Sequence, residues 1–569
     1  MKRRIFVLMN LLVAGSFTWL FAQEVKPEQL EEMVQSTITR SYASSVFLAD
    51  YDTLAKRTTG SRFSGVVVSK DGIILTAAHV GRPGKVYQVI FPNGEQQIAI
   101  GLGRIQQLDA AVLKINKPGN WPFAEMGWSS SLKVNEPCVS IACPGSFAPR
   151  KTVIRFGYVA DLLDSRRRMI RTTCLMEPGD SGGPVFDLYG RVIGLHSSIT
   201  LGLESNFEIP IDVFRRYWSA LMKTEDYKTL PAEDPIPADP LADKRISYGK
   251  INSLERMLAE KESKLDQFTI QLSSVNDTSK AVGTLIKFSG LKGRPKKTYI
   301  ISKSSLLPDQ AMAILADGKT EQLKVIYRDD KKDLVLLEMG KIIKSGVDLS
   351  IRSNDTLATD DLGKILISPH PQNDGEISVL GTLRFNLPGL YSAGYLGSRL
   401  ELKEDRIQVS MVQDKSPASA AGLKVGDEVL RVNDVAISSP EHFAKEIQKN
   451  KPHDKIQVAF KRDGQENNID ITLAKRPAIT INHVAERFTD GKSDRRDGFQ
   501  HAFIHDGKLK PEECGGPLFD LEGNFIGINM ARYSRTSSIA ISVEEVIDFV
   551  QAALQDRASA FVLKTSNNT

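Results

Sequence analysis

Cysteine is scarce in this chain: Cys138, Cys143, Cys174 and Cys514 are all there are in 569 residues. Four are too few for a fold held together by disulfides. Cys138 and Cys143 flank "VSIA", and a strand of that length sets them about 16 Å apart, out of bonding reach. Cys174 is left as a partner for either, and Cys514 stands alone. Histidine is also sparse, with eight scattered residues and no paired Cys/His spacing, so no metal site is expected. No nucleotide motif is present, and no cofactor is expected. Charge of one sign is lacking too. The formal net charge is +5, falling to about +2 if Lys2, Arg3 and Arg4 leave with a leader, which argues against nucleic acid as partner. A single long apolar run exists, Ile5–Ala22, between a basic start and Gln23-Glu24. That is the layout of a secretory signal, expected over residues 1–22. With no other run near ~18 residues, no membrane span is expected after cleavage, and the location is periplasmic or secreted.

Short β-like segments bounded by Gly, Pro and Asp fill the first block: "SRFSGVVVSKDGIILTAAHV", "LDAAVLKI", "PCVSIACPG" and "GRVIGLHSS". Such patterning predicts all-β barrels or sandwiches. A short helix is expected over Pro27–Ile38 and another over Pro210–Lys223. The Pro- and acid-rich "EDYKTLPAEDPIPADPLADK" follows as an extended linker. From about Ala281 the pattern restarts: "TYIISKSSL" answers "GIILTAAHV", and "KDLVLLEM" answers "LDAAVLKI". Ser181–His196 and Cys514–Asn529 agree at nine of sixteen positions, which marks an internal duplication. The second copy is interrupted between Phe385 and about Arg496.

Three local patterns in the first copy carry chemistry. "TAAHV" holds His79, "LDAAVLKI" holds Asp109 and "GDSGGP" holds Ser181. A hydroxyl needs an adjacent base to become a nucleophile near neutral pH, and the imidazole needs a carboxylate to fix its tautomer. The N–H groups of Gly179 and Ser181 are placed to bind the oxyanion. The order His, Asp, Ser and these motifs resemble the trypsin-like serine proteases, of the HtrA (Deg) type that joins this fold to PDZ domains. The resemblance implies an endopeptidase acting through an acyl-enzyme on unfolded protein or peptide substrates. It also implies a specificity pocket near Leu175 and His196. His196, in "VIGLH", is similar to the histidine of glutamyl endopeptidases, which implies a preference for Glu or Asp met by a partly protonated imidazole. An oligomer is compatible with the sequence.

The interruption, with "SPASAAGLKVGDEVLRVND", resembles a bacterial PDZ domain. The resemblance implies that Gly394, Tyr395, Leu396 and Gly397 present N–H groups to a C-terminal carboxylate. A peptide would add beside Ile407–Met411, with Phe443 and Ile447 lining the pocket. In the second protease-like copy Asp333 and Cys514 match Asp109 and Ser181, but Ser305 stands in place of His79. Without an imidazole this copy is expected to be inactive. The expected fold class is therefore mostly β: two chymotrypsin-like double β-barrel domains, the second degenerate and carrying an inserted PDZ domain. The expected boundaries are 27–224 for the protease domain and 225–246 for the linker. They are 247–388 and 477–560 for the two parts of the degenerate domain, and 389–476 for the PDZ domain. The rival expectations are a non-catalytic PDZ-bearing holdase and an exported processing protease with one specific substrate.

Overall fold

Alternating apolar residues and tight turns fold the first block into two closed barrels. The computed structural model describes residues 25–147, 150–162, 168–244, 251–274, 279–287, 297–349, 357–372, 374–477, 483–488 and 490–566. The signal segment expected at 1–22 lies outside the described residues. The first barrel consists of strands Ser45–Asp52, Arg57–Val67, Ile73–Ala77, Val86–Ile90, Gln96–Ile105 and Ala110–Ile115. It closes because Gln96–Ile105 pairs with both Val86–Ile90 and Ala110–Ile115. The second consists of Pro137–Ala142, Val153–Asp161, Ile170–Thr172, Pro184–Asp187, Val192–Ile199 and Asn206–Pro210, and is also closed. This is the chymotrypsin-like double barrel.

The rear copy repeats that topology with two defects. In its first half the counterpart of Gln96–Ile105 is broken at Leu323 into Thr320–Gln322 and Lys324–Asp329, which pair with different neighbours. Leu323 turns inward and is buried. In its second half Ile365–Ser368, Glu376–Val379, Ala502–His505, Pro517–Asp520, Phe525–Arg532 and Ser538–Ser542 keep the front barrel's neighbour order. The joint between Glu376–Val379 and Ala502–His505 shrinks to the bridges Leu380–His505 and Phe385–Ala502. The chain leaves for the PDZ domain and returns at this joint, where Gly381 and Phe385 N–H groups still bond Ile504 O and Ala502 O, each at 2.8 Å. The inserted unit has a sheet in the order Ser398–Lys403, Arg406–Val412, Glu428–Val432, Lys455–Arg462, Gln465–Thr472. It carries helices Pro417–Ala421 and Pro440–Gln448 and its own apolar core.

Several expected elements differ in detail. The first helix runs over Pro27–Ser41, and its Leu30, Val34 and Ile38 are buried. A Cβ on Gly363 of the rear copy would meet Ile38 and Val34, and Glu31 accepts the Ile365 N–H at 2.5 Å. This helix therefore seals the seam between the copies, and burial pushes the Glu31 carboxyl up to about 7. The expected linker is extended but docked. Asp226–Tyr227 adds a strand beside Arg104–Ile105, and Asp239 binds Arg191 at 2.9 Å. The last helix runs over Val543–Ser566. No helix among the described residues is long and apolar enough to cross a membrane.

Candidate active site

Asp109 ends a 3-10 turn in the left-handed conformation, φ 54°, which aspartate tolerates better than most residues. That backbone lets its carbonyl accept the Ala78 N–H at 2.8 Å, while Oδ1 accepts the His79 N–H at 2.9 Å. His79 Nδ1 lies 3.0 Å from both carboxylate oxygens. With Nδ1–H donating there, Nε2 is left as the proton acceptor. Ser197 Oγ–H donates to Asp109 Oδ2 at 2.6 Å. Sequence reasoning missed this residue, although it stands next to His196 in a quoted motif. His79, Ser181 and Gly179 line one cleft of about 450 Å³, together with Arg62, Met176 and Ser197–Ile199.

The nucleophile loop is shaped by close backbone approach. A Cβ on Gly182, φ 79°, would lie 2.0 Å from Thr76 Oγ1, so only glycine fits. Gly182 N–H donates to His196 O at 2.8 Å, and Gly183 N–H to Asp180 O at 2.7 Å. The N–H groups of Gly179 and Ser181 have no acceptor among the described residues. Two unpaired donors on alternate residues at a serine are able to bind an oxyanion, and each donor of this kind is worth about 3–4 kcal/mol in a transition state. Below the loop Asp180 and Arg155 form a buried bidentate pair at 2.9 and 3.1 Å. Burial pushes the Asp180 carboxyl up to about 6, against the pull of Arg155.

The expected specificity pocket needs correction. His196 is fully buried and does not line the cleft; its Nε2 is 2.6 Å from Ser140 Oγ. Burial, aided by Arg155, lowers its pKa to about 3, so a partly protonated imidazole does not fit this position. Leu175 is buried too, and its carbonyl accepts from Arg155 at 3.1 Å; the wall of the cleft is Met176. Cys174 lies against Cys138 with sulfurs 3.8 Å apart, and both are free thiols.

The rear copy reproduces the scaffold without the base. Asp333 is again left-handed, φ 59°. It binds Ser305 through N–H to Oδ1 at 2.7 Å and through Oγ–H to Oδ2 at 3.0 Å. Lys303 and Arg495 approach Asp333 Oδ2 at 3.4 and 3.3 Å, so cations occupy the space beside it. Cys514 is fully buried, and burial raises its thiol pKa. Its sulfur faces Ser493 Oγ and the Lys510 carbonyl, each at 3.8 Å, and its N–H is turned to Pro511 O at 3.4 Å. The nearby histidines are engaged elsewhere, His501 with Glu545 at 2.8 Å and His505 with Ser378 at 3.0 Å.

In the PDZ unit the N–H groups of Gly394 and Tyr395 are taken by Asn450 O at 2.7 Å and Ala474 O at 2.8 Å. Those of Leu396 and Gly397 have no acceptor among the described residues. Phe443 and Ile447 are buried in the core beside Leu396. The peptide-addition strand is also corrected. Arg406–Val412 is interior, with neighbours on both sides, whereas Ser398–Lys403 is an edge strand, and helix Pro440–Gln448 packs beside it.

Comparison with known proteins adds an independent line. Residues 63–195 match the family model of the trypsin-like peptidase domain, and 394–473 that of the PDZ domain. A probable periplasmic serine endoprotease, DegP-like, of Pseudomonas fluorescens is 28% identical over 433 residues, covering 72% of this chain and 79% of that protein. Human serine protease HTRA4 is 34% identical over 161 residues, 27% of this chain and 33% of its own length. The serine endoprotease from Yersinia pestis aligns at 16% identity and a TM-score of 0.29, over 78% of this chain and 98% of its own.

Proposed function

We propose that the chain is a trypsin-like serine protease of the HtrA type that carries a PDZ domain, and that its parts divide the work accordingly. Ser181 attacks the scissile carbonyl, and His79 Nε2 takes its proton while Asp109 and Ser197 hold the ring in place. The oxyanion that forms meets the N–H groups of Gly179 and Ser181. Collapse expels the amine with a proton from His79, leaving an acyl group on Ser181 that water removes by the reverse sequence. The observation that carries this reading is the pair of unpartnered N–H groups beside a serine whose base already faces its carboxylate. It favours catalysis over a non-catalytic holdase, because these donors flank a serine that shares its cleft with an oriented imidazole, where an oxyanion would develop.

The substrate enters extended, so unfolded protein segments suit the cleft. The PDZ unit takes a peptide end along Ser398–Lys403, with Leu396 and Gly397 N–H groups on its carboxylate. The rear copy is a non-catalytic platform: its thiol is buried, lacks a base and lies beside an occupied N–H. The periplasm is the location that the N-terminal leader pattern and the DegP-like relatives support. A fluorophosphonate probe should label Ser181 stoichiometrically and leave Cys514 unmodified, as read by peptide mass spectrometry. An unlabelled Ser181 in folded protein would end the catalytic reading.

Substrate preference gives a second check. Met176 and Ile199 present aliphatic walls, and neutral His196 offers no cation. Peptides with Val or Leu before the scissile bond should be cut at least about tenfold faster than those with Glu. The Glu-to-Leu ratio of kcat/KM should stay flat between pH 5.5 and 8, because a group with pKa about 3 does not titrate there. A ratio rising toward low pH with a midpoint near 6 would restore the protonated histidine.

A further inference from the structure

A larger cavity of about 1070 Å³ opens from the cleft and shares Arg62, Glu177, Pro178, Gly179 and His483 with it. Four parts of the chain build its walls: the front barrels, the base of the PDZ unit, the segment that returns to the rear barrel, and the rear barrel itself at Tyr533. Seven Lys and Arg side chains line it against three carboxylates. Those carboxylates are engaged. Asp494 pairs with Lys475 at 3.4 Å, and Glu486 pairs with Lys492. Glu177 accepts the Ser146 N–H at 3.2 Å and the Thr536 hydroxyl at 3.1 Å.

Five arginines remain: Arg62, Arg150, Arg476, Arg487 and Arg496. None has a carboxylate within ion-pairing distance among the described residues. Three are held in place by carbonyls, Arg150 on Cys143 at 3.1 Å, Arg476 on Leu390 at 3.1 Å and Arg496 on Ser493 at 3.2 Å. Arg496 also stacks on Tyr391 at 4.1 Å. Their charges oppose one another, and burial together with Arg62 lowers the pKa of Arg150. Gathering like charges around one cavity is unfavourable unless an anion enters it.

The direction of the substrate decides what enters. On the protease reading, the side chain before the scissile bond lies against Met176 and Ser197–Ile199, and the chain after it leaves past Gly179 and Arg62, which the basic cavity shares with the cleft. At about 3.3–3.6 Å per extended residue, a cavity that shares its rim with the cleft is within reach of the residues that follow the scissile bond. We infer that this cavity is a subsite for acidic residues on the leaving-group side, so that the enzyme selects segments carrying Asp or Glu after the cleaved bond. The inference rests on the protease reading for its direction. The PDZ base and the returning segment supply Arg476, Arg487 and Arg496, so the insertion into the degenerate copy builds this subsite as well as a peptide-binding module.

The test uses full-length protein and two fluorogenic peptides identical up to the scissile bond, one continuing with Asp and Glu, the other with Ser and Asn. The acidic peptide should have kcat/KM at least about tenfold higher at low ionic strength, with the gap closing in high salt. Arg62→Glu combined with Arg487→Glu should abolish or invert that ratio; the ratio also cancels any general loss of folded protein. Binding of both peptides to the Ser181→Ala protein, read by fluorescence polarisation, should show the same preference without turnover. If neither peptide is cut but the acidic one still binds more tightly, the protease reading fails and the anionic subsite stands. Equal cleavage and equal binding, or a preference that survives the double charge reversal, would overturn the inference.

Discussion

Ser181→Ala is expected to lower turnover of an unfolded protein such as casein by about 10⁴- to 10⁶-fold, the scale on which triad nucleophiles matter. Cys514→Ala should leave turnover within about twofold. The two positions share a backbone scaffold, down to the bonds that close each loop: Gly182 N–H to His196 O and Gly515 N–H to Asn529 O. The difference is in what surrounds them. Ser181 faces a cleft shared with His79, whereas Cys514 is sealed, with a thiol pKa raised by burial. A thiol in that state is a small buried apolar group, and its removal costs only the contacts of one sulfur, about 1 kcal/mol. Residual activity of Ser181→Ala should come from the oxyanion donors alone. Casein digestion by the two variants, each checked for an unchanged thermal transition, separates the outcomes. A Cys514→Ala protein that folds but does not cut would reverse the roles of the copies.

The parts legible in the sequence are those written in contiguous residues. The repeated "GGP-FDL" loop gave away the duplication. The turn that positions Asp109 is local, as is the elbow that Gly179 and Gly182 allow around Ser181. The PDZ insertion was visible for the same reason. The illegible parts depend on what meets across the fold. His196 sits in a motif that elsewhere reads acidic substrates, but the Ser140 hydroxyl, more than fifty residues away, captures it behind the pocket. The edge strand of the PDZ sheet depends on the order of its strands, which alternation of residues does not encode. The linker composition is that of a free connector, yet Asp226 and Asp239 find Arg104 and Arg191 on the barrel surface. Contacts between the two copies had no sequence signal, because each half looks complete by itself.

Those contacts carry the second large expectation. Arg535, fully buried in the rear copy, reaches across to the loops that shape the front cleft. Its Nε–H donates to Met176 O at 3.1 Å, and Nη2 donates to Gly202 O at 2.8 Å and Asn206 Oδ1 at 3.1 Å. Asn206 Oδ1 in turn accepts the Met176 N–H at 3.2 Å, and Thr536 holds Glu177. Glu177 N–H binds Asp180 Oδ2 at 2.8 Å, next to Ser181. The Arg535 guanidinium thus fixes Met176 in the wall of the cleft, and its neighbour Thr536 fixes Glu177, on the approach to the Gly179 and Ser181 donors. Burial lowers its pKa to about 10, against the pull of Glu204 and Glu177, so it stays charged at neutral pH, and its desolvation is offset by these acceptors and the two carboxylates. Arg535→Met keeps the length and removes the donors, leaving buried carbonyls unmatched. It should lower unfolding stability by about 2–4 kcal/mol. At temperatures where the variant remains folded, it should also lower kcat/KM by about 10²-fold, since a misplacement near 1 Å at an acyl-transfer site costs that much. The fluorophosphonate labelling rate of Ser181 should fall with it, and discrimination among aliphatic residues before the scissile bond should narrow as Met176 loosens. Lost stability with labelling rate and discrimination unchanged would make Arg535 a tie between domains and nothing more. The expected joint loss would make the degenerate copy a structural part of the working active site.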